Sequence, residues 1–145
     1  MIHVARGNIF NSPAQVLVNP VNTVGVMGAG LAKQFKQRYP EMYKSYRRFC
    51  LAGQFQIGML QLYEAKDGKV VCNFPTKNHW EEASKLEHIE AGLQKFVGTY
   101  QEKGIVSVAF PKLGCGLGGL DWDQQVEPMM RKYLDDVSLS IYFYI

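Results

Sequence analysis

Four glycines fall within the six residues Gly114–Gly119, directly behind the apolar run Val106-Ser107-Val108-Ala109-Phe110-Pro111. Such a run of β-branched and aromatic residues reads as a buried strand. The glycines behind it let backbone amides turn inward and approach a ligand closely, as a phosphate cradle requires. A second loop of this kind, Gly25-Val26-Met27-Gly28-Ala29-Gly30, follows the strand-like Val16-Leu17-Val18-Asn19. Two glycine loops at strand ends suggest one site gripping a diphosphate from both sides.

Strand-like segments recur at His3–Ala5, Val16–Asn19, Met59–Tyr63, Val70–Phe74, Val106–Phe110 and Leu139–Tyr144, with helical patterns between them. Gly30–Tyr39 reads as a helix ended by Pro40, because a residue before proline avoids the helical region. Pro40 suits the first turn of a second helix running to Leu51, with Gly53 as its terminator. Ser84-Lys85-Leu86-Glu87 has the form of a capping box. Behind it Leu86, Ile89, Leu93, Phe96, Val97 and Tyr100 repeat at helical spacing until Gly104. A last helix starts near Asp121, where Pro128 predicts a kink or a restart. Alternating strands and helices predict a layered α/β domain with helices on both faces of the sheet and ligands at the carboxyl ends of its strands.

With 145 residues, 47% hydrophobic and 20% charged, the chain has the composition of one globular domain, residues 1–145. No apolar stretch approaches the roughly 20 residues of a membrane span, and the start reads as a strand rather than a signal peptide. Three cysteines, Cys50, Cys72 and Cys115, are odd in number and lack metal-ligand spacing. They predict a reduced, cytoplasmic setting and no metal site. Charge is uneven: Lys33, Lys36, Arg38, Lys44, Arg47 and Arg48 face Glu41 alone within one stretch. That stretch is either a solvated helix face or a surface that attracts phosphate backbones.

Neither loop fits a dinucleotide fingerprint, and there is no Walker pattern, nucleophile elbow or H-E-x-x-H. Asn22, before the first loop, offers a carboxamide that either meets sugar hydroxyls or braces the loop backbone. Asn73-Phe74-Pro75-Thr76-Lys77-Asn78-His79-Trp80 brings Thr76 and Lys77 to the same sheet edge. Lys77 either neutralises phosphate or acts as a nucleophile, its amine attacking an aldehyde-like anomeric carbon. His79 and Trp80 offer a proton carrier and a stacking plane, or simply pack. Cys115 has no histidine base in its own segment.

Taken in order, Gly7-Asn8-Ile9, Val18-Asn19-Pro20-Val21-Asn22, the Val26–Gly30 loop and Pro111–Leu120 resemble a macrodomain, over nearly the whole chain. The segments Asn73–Trp80 and Gly116–Trp122 are most similar to DarG-type antitoxin macrodomains, which are DNA ADP-ribosyl glycohydrolases. The terminal ADP-ribose protein glycohydrolases, which share the lysine, are also similar.

The resemblance implies a three-layer α/β/α fold around a mixed six-stranded sheet, with ADP-ribose in the cleft as ligand and product and no cofactor. Gly25, Val26, Met27, Gly28, Ala29 and Gly30 would wrap one side of the diphosphate and distal ribose. Gly114, Cys115, Gly116, Leu117, Gly118 and Gly119 would wrap the other. Asn22 would touch the distal ribose, Thr76 the ligand beside it, and Asn8 and Ile9 the adenine end, with Phe143 packed on the base. Many macrodomains carry aspartate where Asn8 stands, and an amide makes that contact without charge assistance.

Lys77 matches the family's catalytic lysine, with His79 and Trp80 as contacts to the substrate base. Protein-directed relatives carry an aspartate at the position of Gly118, so its absence here points to the DNA-directed branch. The implied activity is removal of ADP-ribose from thymidine in single-stranded DNA, opposing a cognate transferase toxin. The alternatives are de-ADP-ribosylation of proteins or of O-acetyl-ADP-ribose, and a non-catalytic ADP-ribose reader. DarG proteins usually carry a second domain, so this monomeric unit is an excised or a stand-alone macrodomain.

Overall fold

The two faces of one sheet organise the chain. The computed structural model describes all of residues 1–145. Its strands are β1 (Ile2–Ala5), β2 (Val16–Val21), β3 (Gln61–Glu64), β4 (Val70–Pro75), β5 (Ser107–Phe110) and β6 (Ser140–Tyr144), in the spatial order β1-β6-β5-β2-β4-β3. All neighbours run parallel except β3, which pairs antiparallel with β4. The mixed six-stranded sheet and its two helical layers match the expected fold. The expected strands shift by one or two residues at their ends, the ordinary fraying of such boundaries.

Helices α1 (Gly30–Arg38) and α2 (Pro40–Leu51) cover one face, where Phe35, Met42 and Tyr46 pack on Leu17, Val71 and Ala109. Helices α3 (Leu86–Thr99) and α4 (Glu127–Leu134) cover the other, where Ile89, Leu93, Phe96, Met130 and Leu134 meet Val16, Val18, Phe74, Val108 and Phe143. Both faces are buried, so the central strands read as continuous apolar runs rather than as alternation. Gly92 lets α3 lie directly on the sheet, because a Cβ there would collide with the Phe74 ring.

Pro40 opens α2 as expected, and Gly53, at φ +71°, ends it by donating to the Cys50 carbonyl at 2.9 Å. Asp121 caps the last helical segment, accepting from the Gln124 amide at 2.7 Å. That segment begins as a π-type turn, Trp122–Val126, in which the Val126 amide reaches the Asp121 carbonyl five residues back at 3.1 Å. It restarts as α4 with Pro128 in its first turn, one of the two outcomes expected of that proline.

The capping box is corrected. Lys85 is the residue that caps α3, without a side-chain bond, and Ser84 stands outside the helix. Its hydroxyl points instead to Thr76, a tertiary contact described below.

Candidate active site

At the carboxyl ends of β2, β4 and β5 lies a cleft of about 750 Å³. β2 delivers the first glycine loop, β5 the second and β4 the segment carrying Lys77. The two glycine loops face one another: a Cβ built on Gly30 would lie 3.5 Å from Leu117 Cδ1. Asn22, Val26, Gly28, Ala29 and Gly30 line one wall, Gly114, Cys115, Gly116, Leu117 and Gly118 the other, and Thr76, Lys77 and Trp80 one end. Lys77 and Lys112 are the ionisable cations of this lining, which contains no carboxylate. Gly30, at φ +58°, starts α1 within the cleft behind an uncapped Ala29, so free amides and the positive end of the helix add to an anion-favouring field.

Asn22 does mainly the bracing of the two roles open to it. Its Oδ1 accepts from the amides of Val24 at 3.1 Å and Val26 at 3.3 Å, and its Nδ2 donates to the Val26 carbonyl at 2.8 Å. The buried Tyr46 hydroxyl lies 2.8 Å from both the carbonyl and Oδ1 of Asn22. One amide hydrogen remains for a ligand. Burial pushes the Tyr46 phenol well above its ordinary range, which keeps it a donor.

The Lys77 segment is tied to both glycine loops. On one side Thr23 donates its amide to the Asn78 carbonyl at 3.2 Å, and its hydroxyl lies 3.1 Å from Asn78 Oδ1. On the other, Ser84 Oγ donates to Thr76 Oγ1 at 3.3 Å, and the Ser84 amide donates to the Gly118 carbonyl at 2.9 Å. Both hydroxyls are buried. Lys77 is half-buried, its Nζ donating to the Trp80 carbonyl at 3.3 Å.

Gly118 is closed to side chains. A Cβ there would overlap the Gly114 carbonyl oxygen and Ser84 Oγ. The glycine whose identity pointed to one branch of the resemblance is therefore required by the shape of its own loop.

Several expected contacts lie elsewhere. Gly25 is buried at φ +90°, its carbonyl accepting from Tyr43 Oη and Arg47 Nη1, each at 3.3 Å, so it seats the loop on α2. Met27 is a buried peg beneath the loop, its sulfur 3.8 Å from Asn19 Nδ2. Gly119 faces an adjoining hollow of about 570 Å³ on the far side of the second loop, which shares Lys112, Cys115 and Gly116 with the cleft.

Asn8 caps the short 3₁₀ turn Ile9–Asn11 by accepting from the Phe10 amide at 3.0 Å, Ile9 is buried in the core, and neither lines the cleft. His79 does not line it either; its Nδ1 accepts from the Glu81 amide at 3.2 Å and its ring sits 5.2 Å from that of Trp80. Phe143 is a correction. It is fully buried, edge-on to Trp122 at 5.5 Å and to Phe110 at 6.3 Å, and cannot pack on a ligand base without leaving the core.

Ser84, Leu31 and Lys112 line the cleft although sequence reasoning did not select them. A buried polar chain also lies beneath the site: Asn19 Nδ2 donates to Asn73 Oδ1 at 3.0 Å, and Asn73 Nδ2 to Gln61 Oε1 at 3.0 Å. The register that pairs these two asparagines was the available sign.

Burial raises the Cys115 thiol above its ordinary range, with Lys112 partly opposing the shift. At neutral pH it is therefore less thiolate than a free cysteine. Cys50 and Cys72 are buried, and burial pushes Cys72 up to about 12. Alkylation followed by mass spectrometry is expected to modify Cys115 first, more slowly than a free thiol at pH 7.5. Its rate should keep rising with pH beyond the point where a free thiol's has levelled.

A sequence model of the macro domain family matches residues 18–129. The chain belongs to the macrodomain family. This macrodomain is 44% identical to the DNA ADP-ribosyl glycohydrolase of Thermus aquaticus, over 98% of this chain and 41% of that protein. The solved macrodomain of Thermus aquaticus DarG superposes with a TM-score of 0.93 at 40% identity, covering 100% of this chain and 98% of that one. A Thermosipho africanus DarTG solved in complex with ADP-ribose superposes with a TM-score of 0.89 at 38% identity, over 97% of this chain and 41% of its own. The macrodomain thus spans about two fifths of the length of the curated relative. No helix is long and apolar enough to cross a membrane.

Proposed function

We propose that this macrodomain hydrolyses the N-glycosidic bond joining ADP-ribose to thymidine in single-stranded DNA. The observation that carries this reading is Lys77, held between two facing glycine loops in a cleft lined by cations and no carboxylate. The loops and the start of α1 suit the diphosphate, which leaves the distal ribose toward Asn22 and Lys77. The likeness to the Thermus aquaticus glycohydrolase and the fit to a DarTG that binds ADP-ribose support the same ligand and substrate.

In the proposed reaction the lone pair of the Lys77 nitrogen attacks the anomeric carbon of the distal ribose, and a proton released from that nitrogen passes to the thymine. The thymine nitrogen leaves with the bonding electron pair and takes up that proton. Water then adds to the transient lysine–sugar adduct, releasing ADP-ribose and restoring the amine. Residues and water suffice, with no cofactor. A carboxylate at position 118 is sterically excluded, which favours base-linked over ester-linked conjugates. A partner of opposing activity fits the Thermosipho africanus relative, a fusion of DNA ADP-ribosyl transferase and glycohydrolase.

The test compares two conjugates by chromatography: an oligonucleotide ADP-ribosylated on thymidine and a peptide ADP-ribosylated through a glutamate ester. Release of ADP-ribose is expected from the first at a kcat/KM at least about tenfold higher. An untouched oligonucleotide, or preference for the ester, overturns the proposal.

A further inference from the structure

The outer side of the first glycine loop carries a concentration of positive charge that the cleft itself does not use. There α2 lays Tyr43 and Arg47 against the Gly25 carbonyl. Lys36 of α1 stands 4.3 Å above the Tyr43 ring, and the exposed Arg48 follows on the next position of α2. Lys44 is neutralised by Glu41 at 3.2 Å, but none of the four ion pairs of the molecule involves Lys36, Arg47 or Arg48. Like charges left outside ion pairs repel one another, and a polyanion relieves that repulsion.

This surface is continuous with the mouth of the cleft. From Gly25 the exposed Val24 leads to Thr23, and Thr23 is bonded to Asn78, the neighbour of Lys77. Beyond Lys77 stands Trp80, 51% exposed and backed by the His79 ring. The exposed Glu81 and Glu82 follow Trp80 in the chain. Cations outside any ion pair thus lie past Val24.

We propose that single-stranded nucleic acid linked to the bound ADP-ribose leaves the cleft across Thr23 and Val24 onto the α1–α2 cations. Lys36, Arg47 and Arg48 meet its phosphates, and Trp80 stacks on a base beside the modified one. The phosphate contacts supply salt-sensitive affinity without sequence preference, and the indole supplies a stacking plane that any base fits. This assignment rests on the proposed DNA-linked substrate, but the surface can be tested without it.

The experiment titrates the protein with an unmodified, fluorescein-labelled oligothymidylate, measured by anisotropy at several salt concentrations. With three phosphates neutralised, the logarithm of affinity should fall against the logarithm of salt with a slope of about −2. The Lys36→Glu/Arg48→Glu variant should bind at least about tenfold more weakly at low salt and with a flatter slope. Its affinity for free ADP-ribose by calorimetry should move by less than about twofold, which also shows that it is folded. Trp80→Ala should weaken binding about tenfold with the slope unchanged.

Oligothymidylate binding that is undetectable, or equal in wild type and the charge-reversed variant, overturns the assignment. The activity reading fails separately: if the oligonucleotide binds as expected but the base-linked conjugate is not cleaved, the surface stands and the reaction falls.

Discussion

Exchanging Lys77 for alanine is expected to lower kcat on the base-linked conjugate by at least about 10³-fold, because the proposed nucleophile is gone. Affinity for ADP-ribose should weaken by no more than about tenfold, or about 1.4 kcal/mol. The modest binding cost follows from the rest of the cleft: the loop amides, the start of α1 and Lys112 all remain. Lys77→Arg supplies a positive charge but no amine that attacks carbon, since guanidinium stays protonated. It should bind ADP-ribose nearly as well as wild type and still fail to turn over. If the arginine variant hydrolyses at close to the wild-type rate, Lys77 balances charge and the covalent mechanism falls. Single-turnover measurements by mass spectrometry, with borohydride added to trap a lysine adduct, give an independent readout.

The second large effect is expected at Gly118. Alanine there drives a methyl group into the Gly114 carbonyl and Ser84 Oγ, so the second loop must open. Opening breaks the Ser84 amide bond to the Gly118 carbonyl and loosens the hold on Thr76 next to Lys77. The cost should resemble forced overpacking, about 1–3 kcal/mol of stability. ADP-ribose affinity should fall at least about 100-fold, because the loop that faces Gly30 no longer holds its shape. Gly116→Ala is the control: nothing lies within 4 Å of a Cβ there and its φ is not positive, so stability should stay within about 0.5 kcal/mol. Denaturant melts and calorimetry on the two variants decide the matter. Equal stability and equal affinity would mean that the loop is pliable and the clash immaterial.

Sheet, layers and cleft were legible because they rest on periodicity and on glycine chemistry. Leu86, Ile89, Leu93 and Phe96 repeat at helical spacing, and three of the four are fully buried on the sheet. What the sequence hid depended on partners distant along the chain. Ser84 sits in a motif that predicts a helix cap, yet its hydroxyl bonds Thr76 eight residues earlier, so tertiary context overrides the local rule.

Phe143 failed for a different reason. Strand residues alternate between faces, but Ile141-Tyr142-Phe143-Tyr144-Ile145 is apolar or aromatic throughout, and nothing in it marks which parity faces inward. Asn22 shows a third kind of ambiguity. A carboxamide suits sugar and backbone equally, and only the positions of Val24, Val26 and Tyr46 show how much of it the loop consumes.

The bonds from Thr23 to Asn78, and from Ser84 to Thr76 and Gly118, have a dynamic corollary. Three loops that leave neighbouring strands are coupled again at the mouth into one stiff frame, so little entropy is lost from them when a ligand arrives. In the proposed reaction, rearrangement then falls to the sugar, whose reactive carbon swings toward the amine of Lys77.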